Sequence, residues 1–356
     1  MSNLERKVQY LEVAEQLSGW IREKKLKPGS LIISLRKISE IYGVSHTTAT
    51  NAVKHLVAEG VLYREHGSGT YVKNNGTELN IGCIISSPVH AERDAALIIR
   101  RELHECSAKA IDYLASNGCR VRHIPCLVVY DNKELSEYIN NLDGLLISGI
   151  DVVLQRCIHL QDLNIPVVFF HHEFEFNYPF SQVLPDHYVA MRQIFKKLRP
   201  EEYEKIIIVY YNHLNNITRR DAFAACAAEA GFKKEQIELC EVAGEAYQHG
   251  MKISEIPGRK FICTCTALLT TSIYDALLSK GQKTGRDFEL VEYDNFEELI
   301  NPDSPPHFTA IDYAREMAAQ LAAELLIKEI REKKEYKQII KVPTRLVIRE
   351  TTKKNE

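Results

Sequence analysis

No run of apolar residues in the 356-residue sequence approaches the ~20 needed to span a bilayer. Residues 1–16 are too charged for the apolar core of a secretory leader, so a cytoplasmic location with no membrane partner is expected. Paired cysteine clusters are missing as well. The nine cysteines, at 83, 106, 119, 126, 157, 226, 240, 263 and 265, are scattered through apolar stretches, which suits reduced thiols in the cytosol. Cys263 and Cys265 are the closest pair. Phe261 and Ile262 beside them point to a buried strand in preference to a metal or redox site. The sequence has no G-x-S-x-G elbow, no G-x-x-x-x-G-K phosphate loop and no recognisable catalytic pair. No enzymatic activity, catalytic residue, cofactor or metal is therefore expected.

The formal charge of −3 is small but uneven. Residues 1–75 carry 11 Lys and Arg against 7 Asp and Glu, a charge of +4, which leaves −7 on the remainder. A small basic head on a larger acidic body hints at a polyanionic partner for the head.

The head follows the order helix, helix, helix, hairpin. Tyr10, Val13, Ala14, Leu17, Trp20 and Ile21 recur at helical spacing, and Lys27-Pro28-Gly29-Ser30 stops that helix. Ser34 is placed to cap a second helix to Ile41, with Leu35, Ile38 and Ile41 buried and Gly43 just past its end. Ser45 can cap a third helix to Glu59. Its apolar stripe is Ala49, Ala52, Val53, Leu56 and Val57, and its other face presents His46, Thr47, Thr50, Asn51 and Lys54. Two short strands, 61–64 and 70–73, follow around the tip His66-Gly67-Ser68-Gly69. This is the order of a winged helix-turn-helix. A helix with short polar side chains over its first turns can enter the ~12 Å major groove, and a glycine tip lets backbone N–H groups approach phosphates.

Residues 9–73 resemble the DNA-binding domain of the GntR family of bacterial regulators. The resemblance rests on Leu26-Lys27-Pro28-Gly29, Ser34-Leu35-Arg36, Gly43-Val44-Ser45-His46-Thr47-Thr48, Leu56-Val57-Ala58-Glu59-Gly60 and Gly67-Ser68-Gly69-Thr70-Tyr71-Val72. It implies contact with double-stranded operator DNA by Ser34 and Arg36, by Ser45, His46, Thr47, Thr48, Thr50, Asn51 and Lys54, and by the wing at His66, Gly67, Ser68 and Gly69. The family usually carries Pro and Glu where this chain has Ile33 and Leu35, and Arg where it has His46 and Thr50, so a different DNA sequence is expected to be read.

Residues 74–78 are polar and small, a linker between a head at 1–73 and a body at 79–356. The body alternates strand and helix. Strands are expected at 79–86, 119–125, 144–147, 167–170, 205–210, 236–241, 260–264 and 289–293. Helices are expected at 91–116, 133–141, 152–163, 187–198, 219–230, 267–279 and 313–331. Strands this apolar are buried on both faces, which favours parallel sheets covered by helices. The fold class is therefore α/β, a winged helix-turn-helix followed by two lobes with parallel sheets. The lobes are expected at about 79–184 with 295–310 and at 185–294 with 311–351, with a small molecule in the cleft beyond the carboxyl ends of the strands.

The body resembles the effector domain of LacI/GalR-type regulators, which shares the periplasmic binding protein fold. The carrying residues are Val183-Leu184-Pro185-Asp186, Arg219-Arg220-Asp221-Ala222-Phe223, Val291-Glu292-Tyr293-Asp294-Asn295, Phe308-Thr309-Ala310-Ile311-Asp312 and the closing stretch Val342 to Glu350. With the GntR-like head, the chain resembles the arabinose-responsive repressors of Gram-positive bacteria. The resemblance implies a repressor that binds DNA as a homodimer and responds to a sugar or sugar derivative, with Arg219 as the ligand clamp at a helix start.

Strand ends facing the cleft supply the other candidates, because sugar recognition needs fixed carboxylates, amides and hydroxyls. These are Ser86, Ser87, Ser148, His171 and His172 in the first lobe, and Tyr211, Asn212, Thr264, Thr266 and Asp294 in the second. Asp186 suits ligand contact or a helix cap. His171, His172, Glu173 and Glu175 admit a metal cluster, but Phe174, Phe176 and Tyr178 beside them suit a cleft edge or dimer contact better. Sugar-binding relatives usually have an Asp after the strand ending at Thr264, and often one where this chain has His171. The effector is then an unusual or acidic sugar, or the cleft holds no ligand and serves dimerisation.

Overall fold

The computed structural model describes residues 3–24, 26, 29–65, 68–72, 79–85, 93–126, 132–149, 160, 163–175, 180–332 and 337–352. The expected helix at 152–163, the linker at 74–78, and His66, Gly67, Ser86 and Ser87 fall wholly or mostly outside the described residues. The chain forms two compact units, Met1–Leu79 and Asn80–Glu356. Among the described residues no helix is long and apolar enough to cross a membrane.

The first unit has helices α1 (Asn3–Glu23), α2 (Leu35–Tyr42) and α3 (His46–Ala58) and strands β1 (Leu62–Glu65) and β2 (Gly69–Val72). Ser34 and Ser45 cap α2 and α3. Their hydroxyls accept from the amides of Lys37 at 3.3 Å and Thr48 at 3.1 Å, satisfying N–H groups that a helix start leaves unpaired. Gly43 ends α2 in the left-handed region. Leu17, Ile38, Ala49, Ala52, Val53, Leu56 and Leu62 form the core. Ile41 departs from expectation. At 54% exposed it lies on the outer side of α2. The antiparallel hairpin pairs Leu62 with Val72 and Glu65 with Gly69. The stretch read as a turn does more. Ile32 donates to the Thr70 carbonyl at 2.9 Å and Val72 to that of Ser30 at 2.9 Å, so residues 30–32 flank β2 as a third strip. Gly69 sits at φ 145, a conformation that favours glycine, while the nearest neighbour to an added Cβ, Leu31 Cδ1 at 2.5 Å, is the end of an exposed side chain.

The second unit holds two six-stranded sheets. The first has the order β13-β7-β6-β5-β3-β4, with β3 (Leu79–Ile85), β4 (Cys119–Ile124), β5 (Gly144–Ser148), β6 (Val167–Phe170), β7 (Ser181–Asp186) and β13 (Ile339–Pro343). The second has the order β14-β12-β11-β10-β8-β9, with β8 (Lys205–Tyr210), β9 (Ile237–Glu241), β10 (Lys260–Thr264), β11 (Phe288–Tyr293), β12 (Thr309–Asp312) and β14 (Arg345–Val347). The central pairs are parallel, and the closing β14 runs antiparallel to its neighbour β12. Ile207, Ile262 and Leu290 from the second sheet are fully buried, as parallel strands covered on both faces require.

The helices are α4 (Arg93–Ser116), α5 (Asn132–Ile139), α6 (His187–Phe195), α7 (Leu214–Glu229), α8 (Ala246–Glu255), α9 (Ala267–Ser279), α10 (Glu297–Ile300) and α11 (Arg315–Glu332). Gly250 lets α8 close on α9. An added Cβ would stand 2.6 Å from that of Ala276 and 3.0 Å from the Ile273 carbonyl oxygen.

The late segments divide otherwise than expected. Strand β12 pairs with β11, so residues 295–310 lead into the second lobe and not the first. Helix α11 packs on β5, β6 and β7, where Leu326 and Ile330 press on Gly144, so it belongs to the first lobe. Strand β13 joins β7 and β14 joins β12. The chain thus passes between lobes after Asp186, at 312–315 and at 343–345. Asp186 caps α6, accepting from the Tyr188 amide at 3.1 Å. Buried Thr344 ties two of the passages together, its hydroxyl donating to the Asp186 carbonyl at 2.8 Å and accepting from the Ala190 amide at 3.2 Å.

Candidate functional site

In the first unit, Ser45, His46, Thr47, Asn51 and Lys54 are exposed along one side of α3. Thr50 is half-buried and its hydroxyl donates to the His46 carbonyl at 2.7 Å. Thr48 departs from expectation. It is buried and its hydroxyl lies 2.9 Å from Ser45 Oγ, so it braces the cap and does not face outward. Ser34 is exposed while capping α2. Arg36 is almost fully exposed on α2 and pairs with Glu40 at 3.1 Å, a contact between solvated charges that yields readily to a phosphate. In the wing, Ser68 and Gly69 are exposed and the Ser68 hydroxyl bonds that of Tyr71.

In the second unit the candidates converge on Arg219. Helix α7 starts at Leu214, five residues before the expected start, so Arg219 stands in its second turn with its side chain buried. From there it reaches the carboxyl ends of β10 and β11. Nη1 donates to the Cys265 carbonyl at 2.6 Å and to Asp294 Oδ2 at 3.0 Å, and Nη2 to Asp294 Oδ1 at 2.7 Å. Across the lobes, Glu173 follows β6. Its carboxylate accepts from Arg219 Nε at 2.5 Å and from Nη2 as well. A guanidinium has five N–H donors, and these five contacts engage all of them within the chain. Tyr293 also lies under the guanidinium, 4.0 Å from ring centre to Cζ.

The network extends through Asp294. Thr266 donates to Oδ2 at 2.9 Å and Arg315, at the start of α11, to Oδ1 at 2.5 Å. Burial works to raise the Asp294 pKa, but Arg219 and Arg315 outweigh it and hold the carboxyl below its usual range. Two arginines and two carboxylates thus balance in the network. His187 Nε2 lies 3.2 Å from the Glu173 carbonyl oxygen and Nδ1 2.8 Å from the Tyr293 hydroxyl. Burial lowers its pKa. A neutral ring that donates through Nε2 and accepts through Nδ1 satisfies both bonds.

Ser148 and His171 lie behind Arg315. Ser107 donates to Ser148 Oγ at 3.2 Å, Ser148 is 3.0 Å from His171 Nδ1, and His171 Nε2 is 3.1 Å from the Arg315 carbonyl oxygen. Burial pushes the His171 pKa down to about 3, so the ring is neutral and acts as a relay that orients the Arg315 backbone. His172 is likewise lowered to about 4 by burial, beside Gln182 at 3.3 Å. Tyr211 packs against the second-lobe core. Among the described residues no group of His, Cys, Asp and Glu is arranged to hold a metal ion. The structure therefore brings together Arg219, Thr266 and Asp294, with Ser148 and His171 one step removed. Glu173, Tyr293, His187 and Arg315 join the network without having been expected to from the sequence. The signal available was an acid in a loop of His and aromatic residues after a strand end, which a buried arginine opposite explains better than a metal.

A cavity of about 450 Å³ adjoins this network between the lobes. Cys106, Arg315, Glu316 and Met317 line it from first-lobe helices, and Asp294, Asn295, Phe296, Asp312 and Arg345 from the second lobe.

Residues 9–72 match the family model of bacterial regulatory proteins, gntR family, and residues 195–352 that of the periplasmic binding protein-like domain. The transcriptional repressor NagR of Bacillus subtilis is 40% identical over 63 residues, 18% of this chain and 26% of that protein. The mannosyl-D-glycerate transport/metabolism system repressor MngR of Escherichia coli is 32% identical over 72 residues, 20% and 30% respectively. The chain thus spans little more than a quarter of the length of these curated relatives. A LacI family regulator from Rhizobium etli superposes with a TM-score of 0.59 at 17% identity, over 76% of this chain and 98% of that one. One from Enterococcus faecalis, with bound ribose, gives 0.57 at 22%, over 77% and 98%. At these identities the likeness is one of fold.

Proposed function

We propose that this chain, which carries a GntR-type helix-turn-helix domain ahead of a periplasmic-binding-protein-like domain, is a ligand-responsive transcription regulator and acts as a repressor. Its working parts are a DNA-binding head at 1–73, a linker at 74–78 and an effector-binding and dimerisation body at 79–356. A homodimer presents two winged helices to a palindromic operator. A sugar or sugar derivative enters the cleft between lobes, and its affinity and that for DNA are reciprocally coupled. The proposal contains no catalytic step.

The observation that carries the reading is the capped α3 with His46, Thr47, Asn51 and Lys54 exposed on one side, followed at once by a glycine-tipped wing. The repressor names of the relatives matched over the head support it. The head is only mildly basic, so non-specific affinity should be modest and salt-sensitive. The test is fluorescence anisotropy with duplexes tiled across the regions upstream of the gene itself and of its neighbours. One duplex should bind far more tightly than competitor DNA, and Lys54→Ala should weaken binding to all duplexes alike and lower the salt slope by about one. Uniform binding to every duplex would refute the reading. A second reading, in which the cleft takes no ligand and serves dimerisation only, is favoured by one observation, the engagement of all five Arg219 donors within the chain. A thermal-shift panel of sugars discriminates, with no shift for any of them supporting this second reading.

A further inference from the structure

Arg219 cannot take up a ligand while its present partners stay. Cys265 and Asp294 lie in its own lobe, and Asp294 is also held by Thr266 and Arg315. The exchangeable partner is Glu173, which comes from the other lobe and takes the side fork of the guanidinium, Nε with Nη2. That geometry is the one an arginine offers to any carboxylate or phosphate.

We propose that Glu173 is a built-in ligand of the cleft, latching the lobes together on Arg219, and that the small molecule that releases this latch is an oxyanion, a carboxylate or a phosphate monoester, which takes the place of the Glu173 carboxylate. The proposal rests on the ligand-responsive reading of the body. Charge decides the class. Arg219, Glu173 and Asp294 are buried, and Arg315 is nearly so, meeting them from the wall of the cleft. A neutral sugar that displaced Glu173 would leave two guanidinium groups against one carboxylate, an uncompensated buried charge. His171, His172 and His187 around the site add no positive charge of their own, and an imidazole cannot supply the missing negative one. An incoming oxyanion restores the balance one for one. The adjoining cavity meets the network at Asp294 and Arg315 and has room for the rest of a small molecule.

The test uses the full chain without DNA, so its failure and that of operator binding are told apart. Binding of acetate, inorganic phosphate, D-gluconate, D-glucose 6-phosphate and neutral D-glucose is followed by calorimetry and thermal shift at constant ionic strength in chloride. Glu173→Ala should bind acetate or phosphate, and its sugar-linked counterpart, roughly tenfold or more tightly than the native chain, because the latch no longer competes. Glucose should bind neither protein. The acetate and phosphate arms identify which oxyanion the site prefers. Glu173→Gln keeps the shape without the charge and should behave as Glu173→Ala. If Glu173→Ala does not fold, the Glu173→Gln titration decides. Equal anion affinity in the native and Gln chains, or glucose binding as tight as gluconate binding, overturns the proposal.

Discussion

Replacing Arg219 by Met removes the one group that neutralises carboxylates from both lobes. In the variant, Asp294 keeps Arg315 and Thr266, but Glu173 is left in a buried site with His187 Nε2, 3.9 Å away, beside its carboxylate. Removing one partner of a buried ion pair costs about 3–5 kcal/mol, because the remaining charge stays buried and unpaired. For a body of this size that lowers the thermal midpoint by roughly 10 °C. Glu173→Gln leaves the opposite imbalance, two arginines against Asp294, and should also destabilise the body. The double variant is neutral again, with Asp294 paired to Arg315. It should therefore lose much less than the two single losses combined, with a coupling of about 2–3 kcal/mol. Urea unfolding of the full chain, followed at the body's own transition, measures the cycle. Losses that add within about 0.5 kcal/mol would refute the claim that Glu173 and Arg219 neutralise each other.

Three further outcomes follow from the geometry. Burial, with Asp294 and Glu297 nearby, pushes the Glu292 pKa up to about 8 from its ordinary 4.5. The folded state then holds a proton that the unfolded chain has lost, so stability falls as pH rises through that window, by up to about 5 kcal/mol. Glu292→Gln should remove this fall, matching the native chain near pH 5 and exceeding it above pH 8 in urea titrations. Thr48→Val should cost the head about 1 kcal/mol through the lost bond to Ser45 and leave base preference intact, whereas Asn51→Ala should weaken operator binding by about 1–3 kcal/mol with the thermal midpoint unchanged. Gly69→Ala should destabilise the head by about 1–3 kcal/mol, read by chemical denaturation, because a residue with a Cβ is strained at φ 145.

Local pattern carried much of the fold. Strands such as Lys205–Tyr210 and Lys260–Thr264 are continuous apolar runs, and the serine caps of α2 and α3 are short-range chemistry. Strand β7 escaped because Ser-Gln-Val-Leu-Pro-Asp begins polar and holds a proline, and α8 because a glycine stands in its middle. The sorting of late segments between lobes could not be read from element order, since it depends on which sheet edge each returning strand meets. Thr48 was legible in principle, because a serine cap reaches the third helical residue and draws it inward. Arg219 was found as the centre of the site, but its main partner lies 46 residues away in another lobe, a separation over which no periodicity speaks.

Thr344 sets how the body can move. Two of the three straps between the lobes continue the paired strands β7 and β13, and the Thr344 hydroxyl ties them further, bonded at once to the Asp186 carbonyl and the Ala190 amide. Straps joined in this way resist sliding past one another, so rotation about this pin is the motion they permit most readily. The third strap, at 312–315, bends through Ala314 at φ 51 and enters Arg315, whose guanidinium grips Asp294. Rotation about the pin must therefore pull on the same carboxylate that holds Arg219, so the swing of the lobes and the electrostatics of the cleft are one coordinate.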